Sequence, residues 1–472
     1  MNPLESALFT DFYQLTMLSG YFHQKKAEQR SVYELFFRKV PNQGGFCISA
    51  GLEQALDYLH NVRVSEGEID YLRGLGTFNE PFLEWLKGFR FRGTVKAMAE
   101  GTLAFGNEPI MQIHATLPEA QLVESALLNV INFQTLIATK AARVCHSATR
   151  PLAGTYAGLG EVLEFGMRRA QGPNGAMMAS RAAFVGGCGA TSNALAGYQF
   201  GIPVRGTQAH AWIMSFASEL EAFRAYAASY PKGTLLLVDT YDTLSSGVPN
   251  AIKVGLELKE RGEKLVGIRL DSGDLALLSR ESRRMLDEAG LTDAKIVASN
   301  DLDELIIESL RLEGACIDIW GVGTQLVTSK SDPALGGVYK LVEIEEGDHF
   351  RPTLKVSSNL GKVTNPAAKQ IWRGSDVKGQ LVSDLLCLAS EPAPQPSGRV
   401  HRWKPLLETV MENGELTSPL PSLIETQAFA KSQLAVLDSA TQRFSNPTPF
   451  PVELSPQLSE LKSQLLKAAS LT

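Results

Sequence analysis

A chain of 472 residues, 44% of them hydrophobic and 20% charged, is long enough to bury a large core and to divide into more than one domain. Its formal net charge of −6 argues against a nucleic-acid partner but leaves room for a locally basic pocket that takes phosphate. The five cysteines, Cys47, Cys145, Cys188, Cys316 and Cys387, form no CxxC cluster and cannot all pair internally. A reducing cytoplasm is the expected setting, and with neither a basic leader nor a long apolar run, no membrane partner is expected.

Thr10 or Asp11 can cap a first helix that turns Phe12, Leu15 and Met17 inward and carries Tyr13. Residues 31–38 (SVYELFFR) read as a strand, Gly51–Leu59 and Glu66–Leu72 as helices, and Phe89–Leu103 as paired strands around Gly101. From Pro118 to Lys140 the spacing of Leu122, Ala126, Leu127, Val130 and Ile131 predicts one long amphipathic helix. Its Asn129, Asn132 and Gln134 suit either a site or buried hydrogen bonding.

Chemistry-bearing motifs begin at VLEFGMRRAQG, residues 162–172. There Arg168 and Arg169 follow an apolar run and can present a planar cation to a carboxylate or phosphate, or form a solvated surface pair. In GGCGATSN, residues 186–193, Thr191, Ser192 or Asn193 can cap the next helix; the motif matches neither GxxxxGK[ST] nor GxGxxG.

The stretch PVRGTQAHAWIM, residues 203–214, joins the polar turn Arg205–Gly206–Thr207 to His210. LLLVDT, VGIRLDSGD, KIVASND and IDIWGVGT follow, each a β-favouring run closing on polar or glycine residues. That is the pattern of parallel strands delivering side chains to one rim. In DTYDT, Asp239 and Asp242 can meet a ribose, organise Mg²⁺ through water, or cap a helix. Arg269, Asp271 and Asp274 set opposite charges beside Ser272 and Gly273, and Ser299, Asn300 and Asp301 add polar groups at the same end. Gly321, Gly323 and Thr324 can wrap N–H donors around a terminal phosphate.

Beyond the rim motifs, Lys330, Lys340, Lys355, Lys362 and Lys369 read as solvent-facing, with Lys355–Val356–Ser357 as a basic edge. EPAPQP, residues 391–396, reads as an exposed connection, and Leu406–Asn413 and Pro447–Leu466 as terminal helices.

TDFYQLTM, LEFGMRRAQGPNG, GGCGATSNALAGYQFGIPVRGTQAHAW, LLVDTYDT, GIRLDSGDL, VASNDLDE and GVGTQLVTS stand in this order along nearly the whole chain. The array resembles the nicotinate phosphoribosyltransferases, type II phosphoribosyltransferases related to nicotinamide and quinolinate enzymes. The resemblance implies an α/β fold: an irregular or incomplete (β/α) barrel, residues 119–345, and an N-terminal α/β domain, 1–118, completed by C-terminal segments, 346–472. It implies transfer of phosphoribose from phosphoribosyl pyrophosphate to nicotinate, coupled to ATP hydrolysis and requiring Mg²⁺ carried on substrate phosphates.

By the same resemblance His210 is a transient phosphohistidine, and Arg269 and Asp271 hold ribose and pyrophosphate. Phe165 and Arg168 meet the pyridine and its substituent; Thr207, Asp239, Ser299 and Asn300 complete the substrate-binding set. Gly321, Gly323 and Thr324 hold the 5′-phosphate, and Tyr13 crosses into the site of a partner in a homodimer. A nicotinamide enzyme and a non-catalytic barrel are the competing readings.

Overall fold

The computed structural model describes residues 3–356 and 363–470; Ser357 and Lys362 lie outside the described residues. The chain divides into two compact units, Met1–Leu136 with Ala334–Thr472, and Ile137–Pro333. These divisions differ from boundaries at 118/119 and 345/346 for two reasons. Strand Gly337–Glu346 pairs with Arg30–Phe37 and so joins the N-terminal residues. The long helix is Glu124–Thr149, separated at Val123 from a short helix, Leu117–Leu122, and it continues past the first division.

Unit Ile137–Pro333 is built on six parallel strands, in the order Ala190–Thr191, Glu161–Glu164, Ile319–Val322, Lys295–Asn300, Gly267–Leu270 and Leu235–Leu237. A parallel bridge from Thr191 to Val204 adds a seventh position at one edge. Taken in chain order, each strand neighbours the next except at Val204 and Leu235, where no ladder forms among the described residues. The first strand, Glu161–Glu164, closes onto the last, Ile319–Val322. This is the incomplete (β/α) barrel that the family resemblance implies, open along one seam.

The strands have fully buried apolar residues, Leu236, Ile268, Ile296 and Trp320 among them, as parallel strands covered by helices require. Asn193, Asp274 and Asp303 each follow a strand and accept N–H bonds from the first turn of the next helix. Each such residue starts a helix a short turn past a strand's end, so the polar turns collect at the carboxyl edge of the sheet.

The other unit carries a seven-stranded antiparallel sheet, in which Arg30–Phe37 lies between Gly337–Glu346 and Pro109–Thr116. Ser31 through Phe37 are all buried. A four-stranded sheet, Arg402–Pro405, Lys369–Ser375, Leu381–Leu388 and Val452–Leu454, belongs to the same unit.

Several expectations fail here for tertiary reasons. Phe89–Leu103 does not fold back on itself: Thr94–Ala97 pairs with Pro109–Thr116, and Leu103–Ala104 with Cys47–Ile48. Leu406–Asn413 is not a helix but holds strand Glu408–Glu412, recruited by Thr94–Ala97. Pro447–Leu466 contains strand Val452–Leu454 before helix Pro456–Ser470 begins. In helix Phe12–His23 the buried residues are Gln14, Leu15 and Leu18, while Phe12 is half exposed. Asp11 makes no cap bond and accepts instead from Ser125 Oγ at 2.6 Å. Lys369 is not solvent-facing; it is buried, with Nζ 2.7 Å from Glu34.

None of the five cysteines forms a disulfide among the described residues. Among the described residues no helix is long and apolar enough to cross a membrane.

Candidate active site

The segment between the two edges of the open seam carries His210 at the start of the short helix His210–Met214. Its Nε2 lies 3.2 Å from Asp239 Oδ1, at the end of the Leu235 strand. With Asp239 as a carboxylate acceptor, the imidazole proton belongs on Nε2, which leaves the Nδ1 lone pair available as a nucleophile. The other oxygen, Asp239 Oδ2, accepts from Asp271 N at 2.8 Å and Ser272 Oγ at 2.7 Å. One almost wholly buried carboxylate thus ties His210 to the loop after the neighbouring strand.

Arg269 continues the network along the rim. Its Nε donates to Ser299 Oγ at 2.8 Å, Nη1 to Thr207 Oγ1 at 3.1 Å and Nη2 to Asp271 Oδ1 at 2.7 Å. Ser299 Oγ also donates to Asp271 Oδ1. Burial works to raise the Asp271 carboxyl, but the Ser299 hydroxyl and the Arg269 guanidinium outweigh it and hold the group below the ordinary carboxylate value. Asp271 therefore stays anionic beside a fixed cation. Its Oδ2 has no donor among the described residues.

Phe165 directly follows strand Glu161–Glu164, with its ring centroid 5.8 Å from the Arg269 guanidinium carbon, a cation–π distance. Gly321 makes room for that ring: a Cβ there would stand 2.6 Å from it. Gly321 lies inside strand Ile319–Val322, just before Gly323 and Thr324, where helix Thr324–Val327 begins. Asn300 has φ +132°, a costly conformation for a residue with a Cβ, held at a rim position.

The structure thus gathers His210, Asp239, Asp271, Arg269, Thr207, Ser299, Phe165 and Gly321 in one connected constellation. Arg168 and Arg169 lie in the exposed turn Met167–Arg169 and make no side-chain bond among the described residues. Tyr13 belongs to the other unit, half exposed on helix Phe12–His23. Asp242 caps its own turn, accepting from Ser245 N at 2.7 Å. Buried Thr240 Oγ1 and the Gln208 side-chain amide, beside Asp239 and His210 in sequence, lack partners among the described residues. Such unsatisfied groups suit a polar ligand.

Glu164 was missed by motif reasoning. It is buried, and its carboxylate accepts from Thr191 Oγ1 at 2.5 Å, Ser180 Oγ at 2.8 Å and the Gly166 N–H. The available signal was an acid inside the apolar run VLEF, which is costly unless donors meet it.

Family models for the nicotinate phosphoribosyltransferase N-terminal and C-terminal domains match residues 8–132 and 368–462. A nicotinate phosphoribosyltransferase of Bacillus subtilis is 44% identical over 465 residues, covering 95% of this chain and 93% of that protein. One of Caenorhabditis elegans is 35% identical over 534 residues, covering 97% and 92%. The crystal structure of human nicotinic acid phosphoribosyltransferase superposes with a TM-score of 0.84 at 32% identity, covering 97% of this chain and 99% of the human one. A nicotinate-nucleotide pyrophosphorylase from Pyrococcus furiosus shares the fold, with a TM-score of 0.72 at 23% identity. With matches of this extent over an open barrel whose rim carries a histidine–aspartate pair and an arginine–aspartate–serine cluster, the chain belongs to the nicotinate phosphoribosyltransferase family.

Proposed function

We propose that the barrel rim transfers the phosphoribosyl group of phosphoribosyl pyrophosphate to nicotinate, releasing nicotinate mononucleotide and pyrophosphate, with ATP hydrolysis coupled through His210. The observation that carries this reading is the Asp239 bridge, which connects the candidate phosphate acceptor to the Arg269–Asp271–Ser299 cluster.

The pyridine nitrogen is already a nucleophile, so the transfer needs no base. It attacks C1 of the ribose as the C1–oxygen bond to pyrophosphate breaks. Positive charge develops on the sugar and negative charge on the leaving group. Anionic Asp271 opposes the first and Arg269 the second, in fixed positions that need little reorganisation. Phe165 and Arg168 orient the pyridine. Thr207, Ser299 and Asn300 complete the sugar and pyrophosphate contacts, and Gly321, Gly323 and Thr324 take the 5′-phosphate. His210 Nδ1 accepts the γ-phosphoryl of ATP, and water later releases it as phosphate.

Mg²⁺ would neutralise pyrophosphate charge. Among the described residues no group of three or more His, Cys, Asp or Glu forms a cage, so the ion would ride on the phosphates, with the open Oδ2 of Asp271 as its protein ligand.

Tyr13, on an exposed face of a separate unit, is assigned to the site of a partner in a homodimer. Mixing Tyr13→Ala and His210→Ala chains should then restore activity, because one of the two shared sites carries neither lesion; a verified heterodimer that stays inactive would reject the sharing.

The deciding experiment is a product assay with nicotinate, nicotinamide and quinolinate, each with and without ATP. Nicotinate mononucleotide formed from nicotinate and stimulated by ATP is the expected result, and preferential use of the neutral amide would replace this reading.

A further inference from the structure

We propose that Glu164 is the positioning residue of the base-binding loop: its buried carboxylate sets the turn that presents Phe165 and Arg168 to the pyridine. The inference rests on the reading that these two residues meet the base.

Glu164 is the last residue of strand Glu161–Glu164 and is 1% exposed. No lysine, arginine or histidine pairs with it among the described residues. Three donors from three places hold the carboxylate instead. The Gly166 N–H comes from the loop just after Phe165, Ser180 Oγ (2.8 Å) from helix Gly172–Val185, and Thr191 Oγ1 (2.5 Å) from the next strand. The donors are themselves fixed. Thr191 Oγ1 accepts from Asn193 N at 3.0 Å, Asn193 Nδ2 donates to Ser180 Oγ at 3.3 Å, and Asn193 Oδ1 accepts from Ala196 N at 3.2 Å. Ser192 N closes the group on the Glu164 carbonyl at 2.9 Å.

This arrangement has a directional consequence. One carboxylate oxygen is committed to the strand and helix behind it, and the other to the loop in front. The loop is therefore hung from a rigid pair of elements by a charge-assisted bond, the geometry that preorganises a binding group. The Phe165 N–H is separately fixed to Val322 O at 2.8 Å, so losing Glu164 leaves the aromatic backbone anchored but frees the turn that carries Arg168. A residue that served the core alone would affect every substrate equally. One that sets this loop affects the pyridine.

The test compares Glu164→Ala, Glu164→Gln, Arg168→Ala, Phe165→Ala and the double variant Glu164→Ala/Arg168→Ala in the full-length enzyme. It measures KM for nicotinate and for phosphoribosyl pyrophosphate, and ATP hydrolysis in the absence of nicotinate. Loss of one charge-assisted bond to the loop should raise the nicotinate KM of Glu164→Ala about tenfold, with the other two parameters changing less than about threefold. Glu164→Gln should recover most of the loss, because its amide oxygen can accept from Gly166 and the two hydroxyls can turn to accept from its NH₂. The double variant should be no worse than Arg168→Ala alone, since the two lesions remove one interaction.

Equal losses in all three parameters, or additive effects in the double variant, would overturn the proposal. If Glu164→Ala does not fold, Thr191→Val removes one donor to the same carboxylate and must show the same selective rise in nicotinate KM. If Arg168→Ala and Phe165→Ala both leave nicotinate KM unchanged, the base-loop reading itself fails, a result distinct from an ineffective Glu164→Ala beside an effective Arg168→Ala.

Discussion

Charge is placed differently in the two units. In the antiparallel unit, Lys369 Nζ meets Glu34 at 2.7 Å and the carbonyls of Asn365, Pro366 and Ala367 at 3.0, 3.3 and 2.6 Å. Glu34 Oε1 accepts from Gln112 at 2.7 Å, and both side chains are 2% exposed. At the rim of the parallel unit, Arg269 and Asp271 are equally well bonded, but their side chains are 14% and 29% exposed, and His210 is 41% exposed. The first pair is closed: every oxygen and proton is answered inside the protein. The second is bonded on one side and open on the other, which distinguishes a group that holds the fold from one that can meet a ligand.

The open rim is most sensitive at His210. His210→Ala should abolish ATP hydrolysis linked to product formation, a loss of at least about a thousandfold, while the melting temperature stays within about 3 °C of the parent, as expected for a partly exposed rim residue. Labelling with γ-phosphate-labelled ATP checks the assignment: the parent should carry acid-labile, base-stable label, and stoichiometric labelling of the alanine variant would refute it.

Lys369→Met should do the reverse. Leaving Glu34 buried without its cation should cost about 3–5 kcal/mol of stability, read by denaturant unfolding, whereas nicotinate KM per folded molecule should not move. Lost affinity without lost stability would contradict the closed-pair description.

Toward acid the two units should behave alike. Burial pushes His114 down to about 4, helped by Lys96 and Arg30, and burial likewise pushes His146 down to about 4, helped by Arg150, Arg143 and Arg311. His114 in one unit and His146 in the other are therefore held neutral, with folded values below the ordinary value near 6.5. As pH falls below about 6.5 the unfolded chain takes up protons that these two native histidines refuse, so their contribution to stability is lost progressively down to about pH 4 and changes no further below it. His114 should account for about 2–3 kcal/mol at the lower limit, and the less buried His146 for less. Chemical denaturation between pH 7 and 4 should show the decline, and His114→Gln should flatten it.

The smallest expected change is also the most specific. An arginine bonded to a carboxylate contributes about 1.5–3 kcal/mol, so Arg168→Ala should raise nicotinate KM roughly tenfold or more and narrow the preference over nicotinamide. Phosphoribosyl pyrophosphate KM should change much less. Arg169→Ala should do less to the nicotinate preference, and kcat/KM for both pyridines in both variants assigns the role: a collapsed ratio in Arg169→Ala would move it one position along.

The strand ends of the barrel were legible because their signals are local. A short β-favouring run, a polar residue and a helix start are written within about ten consecutive residues, and Asn193, Asp274 and Asp303 cap the helices that follow. Hence the sequence by itself determined the parallel unit, its rim and the presence there of His210, Asp239, Arg269 and Asp271. It also carried the ordered motifs by which the family was recognised.

What tertiary structure alone decided is how those groups are joined. The Arg269 bonds to Thr207 and Ser299 link residues 62 and 30 positions apart, and no local pattern encodes such a bond. The close approach of the Phe165 ring to Gly321 joins two strands far apart in sequence, and Lys369 reads as solvated until Glu34 arrives from 335 positions away in the chain. Strand Glu408–Glu412 exists as a strand because the Thr94–Ala97 edge was there to pair with it, since strand formation depends on a partner's hydrogen bonds where helix formation does not. Glu164 shows the same limit within the site. Its cost is visible in the sequence, but the three donors that meet that cost come from separate elements, and only folding brings them to one carboxylate.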